Sequence, residues 1–216
     1  MHHRTWLSAF LLAALAAAAV VPAARAQGTV TLYGGARSSA GLELAGSQSS
    51  GGGTPREVPP REVQLRDSSM VGVALGWALD AQRDGEVLLT QQKSRLRTTS
   101  GLTVPLTVRS AQLGGVVYWQ EDSPGRGPYA AGGIGLTHFM PDLAGFGSAT
   151  RPSLSLGLGY QWRVGAGRVA LRAEARGHVV LINSAGEFLC SGGCSISIRG
   201  DTLTQGDLML GLHLRF

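Results

Sequence analysis

The 216-residue chain is poor in aromatic residues, which make up 6% of it, and it has only two cysteines. Beyond residue 26 no apolar run approaches the ~20 residues that a membrane-spanning helix needs. That excludes a helical membrane protein. Nor is there a block of Lys and Arg: the 19 basic residues outnumber the 14 acidic ones but lie scattered. A basic stripe is therefore missing, and no nucleic-acid partner is expected. Two cysteines fall short of the four ligands of a structural zinc site. No metal and no cofactor are expected.

The N-terminus, MHHRTWLSAFLLAALAAAAVVPAARAQ, has a short basic start, an apolar run over residues 7–21 and a small-x-small ending at Ala24-Arg25-Ala26. This is the layout of a secretory signal cut after Ala26. His2 and His3 would leave with it. So would Arg4 and Arg25, which lowers the formal charge from +5 to +3. Residues 27–216 then suit one domain. Outside the reducing cytoplasm, Cys190 and Cys194 in CSGGC are expected to form a disulfide that closes a small loop tip.

What the chain has in plenty is glycine, 32 residues, and alternation with period two. Residues 70–79 put Val71, Val73, Leu75 and Trp77 on one face against Met70, Gly72, Ala74 and Gly76. Residues 153–162 put Leu154, Leu156, Leu158, Tyr160 and Trp162 against Ser153, Ser155, Gly157, Gly159 and Gln161. Residues 169–181 and 207–216 alternate as cleanly. Four weaker segments follow the same period: 29–37, 85–95, 108–119 and 129–139. The third of these changes phase near Ala111, which a bulge would explain. In the fourth, the facing is open.

Eight strands of the length that crosses a bilayer at a tilt make an even count, as in single-chain outer-membrane barrels. The connections alternate in length. DAQRDG, QEDSPGRGP and RVGAGR are short, whereas long loops are expected at about 38–67, 96–107, 140–151 and 183–204. Short turns inside and long loops outside are the asymmetry of such barrels. Trp77, Trp119, Tyr129, Tyr160, Trp162 and Phe216 all lie near strand ends that meet the short turns, and are expected to form an aromatic girdle.

On strand count, loop asymmetry and the ending Leu212-x-Leu214-x-Phe216, residues 29–216 resemble the small eight-stranded outer-membrane barrels of the OmpA/OmpX type from Gram-negative bacteria. The resemblance implies an antiparallel up-and-down barrel, all-β, after a cleaved signal peptide, in the outer membrane. It also implies that Leu212, Leu214 and Phe216 are the signal read by the barrel-assembly machinery. Leu214 stands where that group often has an aromatic. The Leu face of the last strand would meet lipid. The rival architecture is a soluble lipocalin-like periplasmic ligand binder with its apolar face inward.

In the membrane barrel, Arg172, Glu174, Arg176, His178, Asp207, His213 and Arg215 fall on the lumen face of the last two strands. An eight-stranded lumen is only wide enough for side chains, and charges there must pair. A salt-bridged plug is expected, with Asp207 near Arg176 or His178. An ion path through a narrow solute channel is the alternative. A lipid A-modifying acyl hydrolase would need a Ser–His–acid set at the outer rim, such as His178, Ser184 and Glu187. The chain lacks the His-x-Ser-Asn pattern of that group, and no enzyme is expected. The first long loop, with Pro-Arg-Glu-Val at 55–58 and again at 60–63, reads as flexible or extended surface chain. Lys93, Arg95 and Arg97 at the outer rim either meet lipopolysaccharide phosphates or stay solvated. The resulting reading is a monomer with a structural, adhesive or surface-interaction role. Its partners would be outer-membrane lipid, lipopolysaccharide and a surface ligand taken by the loops; Arg199-Gly200-Asp201 is a chance-level motif.

Overall fold

The computed structural model describes residues 28–39, 42–48, 56–65, 67–97, 103–119, 125–142, 147–165, 168–181, 196–198 and 202–216. The expected signal peptide, Ser184, Glu187, the Cys190–Cys194 pair and the Arg199-Gly200-Asp201 motif lie outside them.

Eleven strands occur among the described residues: β1 Gly28–Ser39, β2 Leu42–Gln48, β3 Arg56–Leu65, β4 Ser68–Ala78, β5 Arg83–Arg97, β6 Thr103–Tyr118, β7 Gly127–Pro141, β8 Ala149–Arg163, β9 Val169–Leu181, β10 Ile196–Ile198 and β11 Thr202–Arg215. Eight of them close a barrel. β1 pairs with β4, β4 with β5, and each later long strand with the one before it. β11 returns to pair with β1. Every pairing is antiparallel, and because β11 closes on β1 the wall has no free edge.

Alternation decides which side chain faces which way. Leu156, at the centre of β8, is 69% exposed and Leu210 on β11 is 71% exposed, whereas Arg37 on β1 is 0% exposed. Leu113, Ile134, Leu136 and Leu208 join the outer face. Glu86, Arg172, Glu174, Arg176 and Asp207 are buried inside. A soluble barrel would have the opposite arrangement, so the lipocalin-like alternative fails. An outer wall of Leu and Ile is stable only against hydrocarbon, and hydrocarbon tolerates only a closed sheet.

The turns at one end are short for local reasons. Between β4 and β5 the Asp80 carboxylate accepts the Gln82 and Arg83 amides at 2.8 and 2.7 Å. The turn between β8 and β9 places Gly165 at φ 65°, a conformation that glycine adopts without strain. Trp77, Trp119, Tyr160, Trp162 and Phe216 are exposed at this end. Tyr129 is not among them. It is 0% exposed and points into the barrel, because it sits directly opposite the inward Tyr118. Strand-end position had placed it in the girdle; its parity along β7 puts it in the lumen.

Three other expectations are corrected. No bulge occurs at Ala111: β6 runs in unbroken register against both β5 and β7. The apparent phase change arises because the lumen face of β6 mixes Val108 and Val116 with Ser110, Gln112 and Tyr118. In β7 the outward residues include Ile134 and Leu136, while Tyr129, Ala131 and Thr137 face inward. The first long connection is not flexible coil throughout. β2 and β3 form a hairpin beyond the barrel wall, with β10 on one side and a two-residue contact to the end of β5 on the other. Its ladder shifts register between Leu44 and Gly46, opposite Pro59 and Pro60, which have no amide hydrogen to donate. β5 to β8 also extend further at the long-loop end than 85–95, 108–119, 129–139 and 153–162, which shortens the loops around 96–107 and 140–151.

Candidate functional site

The lumen holds the densest chemistry among the described residues. Its outer layer is built across the seam where β1 meets β11. Arg37 and Asp207 are direct cross-strand partners. Arg37 grips the carboxylate with two bonds, Nε to Oδ1 at 2.6 Å and Nη2 to Oδ2 at 2.6 Å. This forked geometry is the strongest form of an ion pair. His178 Nε2 lies 2.9 Å from the same carboxylate, and its Nδ1 lies 3.3 Å from the Gln112 amide nitrogen. Gln112 accepts from Ser155 Oγ at 2.5 Å. Arg37 also reaches Thr90 Oγ1 at 3.3 Å.

The inner layer lies nearer the short turns and centres on Glu86 of β5. Its two oxygens receive Arg172 Nη1 at 3.2 Å and Arg176 Nη2 at 3.1 Å. Arg176 Nε also pairs with Glu174. Glu174 accepts from Tyr129 at 2.8 Å and Tyr33 at 3.2 Å. Arg172 donates to Tyr118 at 2.5 Å and to Gln161 at 2.5 Å, and its guanidinium lies 4.9 Å from the centroid of the Tyr129 ring. Three guanidiniums thus meet three carboxylates over the two layers. Each of the six side chains is at most 6% exposed.

The small lumen residues are what make this fit. A side chain on Gly211 would begin 2.7 Å from the Tyr33 ring, and one on Gly157 would begin 3.1 Å from Arg176 Cβ. Gly, Ala and Ser on β7 and β8 therefore do not leave an open bore. Gly157 and Gly159 on β8 make room for Arg176 of β9 and Tyr129 of β7, and Gly211 on β11 makes room for Tyr33 of β1. Buried Val108, Phe139, Val180 and Leu203 line the lumen on the long-loop side of the ionic layers.

No protein-family model matches the chain, and no curated protein matches it in sequence. Solved structures do. OprG from Pseudomonas aeruginosa superposes with a TM-score of 0.57 at 12% identity, covering 88% of this chain and 97% of its own. Neisserial surface protein A gives 0.56 at 14%, with the same coverage. AlkL in lipid bilayers gives 0.54 at 14%, covering 91% and 94%. The fold is that of the small eight-stranded outer-membrane barrels. At these identities the likeness speaks for the fold alone.

Within this outer-membrane barrel fold, the seven charged residues named from the sequence divide. Arg172, Glu174, Arg176, His178 and Asp207 belong to the two layers. Asp207 binds Arg37 and His178 rather than Arg176, although Arg176 stands opposite it on β9, because Arg176 turns to Glu174 and Glu86. His213 lies apart, with Nδ1 2.8 Å from Thr31 Oγ1. Arg215 sits at the short-turn rim, 24% exposed, with Nη2 4.0 Å from Asp84. Leu212 and Leu214 lie on the outer face of β11, and Phe216, just past its end, is exposed as well. Sequence reasoning missed Arg37, Glu86, Tyr33, Tyr118, Gln112 and Gln161. The available signal was parity: Arg37 shares a face with Thr29, Thr31 and Tyr33. Among the described residues no three His, Cys, Asp or Glu side chains form a metal-ligand set.

Proposed function

We propose that the chain is an integral outer-membrane barrel that acts as a closed, non-conducting anchor and presents its long-loop end at the bacterial surface. The observation that carries this reading is the lumen. Paired guanidiniums and carboxylates occupy the bore over two successive layers, where a channel would need water. The short turns face the periplasm and the long connections face outward. Lipid and lipopolysaccharide surround the wall, and Leu212, Leu214 and Phe216 engage the assembly machinery during insertion. The protein works as a monomer and is exported through its signal peptide. The role is structural or adhesive rather than catalytic, since His178 is committed to Asp207 and Gln112.

Bilayer conductance tests it. The refolded wild type should show no steady current. The paired change Glu86→Ala with Arg172→Ala removes two of the four charged side chains of the inner layer yet leaves Arg176 with Glu174, and should open stepwise conductance. A steady current from the wild type would sink the closed-anchor reading and favour a narrow channel.

A further inference from the structure

At the long-loop end, the described outer face of the barrel wall carries its cations on one side. Lys93 and Arg95 on β5 and Arg109 on β6 are exposed and point away from the lumen, with His138 on β7 half-exposed beside them. The register puts them together. Gln91, Arg109, His138 and Thr150 form one transverse row, and Lys93 and Arg95 lie in the next two rows outward. Gln91 Oε1 accepts from Arg109 Nε at 2.9 Å, and His138 Nδ1 lies 2.7 Å from Thr150 Oγ1. None of the three long cations has an ion pair among the described residues. Asp142 at the far edge of β7 is the nearby acid.

At the same height on β1, β4, β8, β9 and β11, the outward residues are Ala36, Ser38, Ser69, Thr150, Leu181, Thr202 and Thr204, without charge. Directly below the cations, on the same strands, the wall turns apolar at Leu113, Ile134 and Leu136. The height fits a membrane boundary. Arg109 is ten positions from Trp119 along β6, about 33 Å of strand, and at a tilt of about 40° this is about 25 Å along the barrel axis. An outer-membrane apolar band is about 25 Å tall. Trp119 and Arg109 therefore mark its two edges.

We propose that this part of the wall binds a phosphorylated, multiply acylated glycolipid of lipid A chemistry. Its phosphates would lie on Arg109, Lys93 and Arg95 and its acyl chains on Leu113, Ile134 and Leu136. The chemistry follows from the pattern: several unpaired cations call for several anionic oxygens, with guanidinium favouring phosphate, and the apolar wall beneath calls for acyl chains joined to them. The inference rests on the outer-membrane reading above, which puts these rows in the outer leaflet.

The test uses the full-length protein, purified and folded in detergent, with native mass spectrometry of lipid adducts. Diphosphoryl lipid A, phosphatidylglycerol and inorganic phosphate are the probes. The wild type should hold diphosphoryl lipid A at least tenfold more tightly than phosphatidylglycerol. Combining Lys93→Gln, Arg95→Gln and Arg109→Gln should weaken lipid A at least tenfold, while Arg163→Gln with Arg168→Gln, at the opposite rim, should leave it unchanged. Lipid A binding unaltered in the triple variant, or equal binding of phosphatidylglycerol, overturns the proposal. So does displacement of lipid A by millimolar inorganic phosphate. A heat-dependent gel shift of each variant, taken from outer membranes, reports separately on the barrel and its location.

Discussion

Asp207 is the most informative single position. Its carboxylate holds Arg37 through two bonds of 2.6 Å and sits 2.9 Å from His178, and both charged side chains of the ion pair are 0% exposed. Asp207→Ala leaves Arg37 with only Thr90 at 3.3 Å and His178 at 3.5 Å. Neither neutralises a guanidinium. Breaking a buried pair from one side costs about 3–5 kcal/mol, because the remaining charge stays buried. Asp207→Asn keeps an acceptor and should lose about half of that, in the range of a charged hydrogen bond, about 1.5–3 kcal/mol. The double change Arg37→Met with Asp207→Leu removes both charges at similar volume and should fall within about 1 kcal/mol of the wild type. Equilibrium urea unfolding in lipid vesicles, followed by tryptophan fluorescence and checked by gel shift, measures all three. An Asp207→Ala loss below about 1 kcal/mol would refute the reasoning, since it would mean that water reaches Arg37. A double variant worse than Asp207→Ala would refute it as well.

Two further perturbations probe the wall. A side chain on Gly114 would fall on the Gly132 carbonyl oxygen and within 2.6 Å of Gly133 Cα, so Gly114→Val should force β6 and β7 apart at a cost of about 1–3 kcal/mol; unfolding at the wild-type urea concentration would contradict the packing. Leu156→Arg places a charge at mid-height on the lipid face and should destabilise by about 2–4 kcal/mol in vesicles. A smaller loss than at Thr150→Arg, near the outer rim, would mean that Leu156 does not lie at the midplane.

The outer wall was legible in the sequence and the lumen only half so. Leu154, Leu156 and Leu158 alternate with Ser and Gly because hydrocarbon demands the same chemistry at every outward position. The lumen makes no such uniform demand. It takes Leu88 beside Glu86 and Val108 beside Ser110, so β5 and β6 carry apolar residues on both faces and their facing could not be read. Pairing was harder still. Arg37 and Asp207 are 170 residues apart and meet only through the register of the closing seam, which no local pattern encodes. Tyr129 shows the same gap at a smaller scale: its place near a strand end suggested a membrane interface, while its parity and the space at Gly159 sent it inward.

That seam has a further consequence. The amide of Phe216 donates to the carbonyl of Gly28 at 3.0 Å, so the backbone of the last strand is already tied to the start of the first. β1 has two full neighbours, and it treats β11 no differently from β4. The order in which the strands are written along the polypeptide is thus separable from the order in which they stand around the ring. A chain rewired to join Phe216 to Gly28 through a short peptide, and opened instead at one of the surface connections, would enclose the same ring of ion pairs. The circle, rather than the line, is the unit that the interactions recognise.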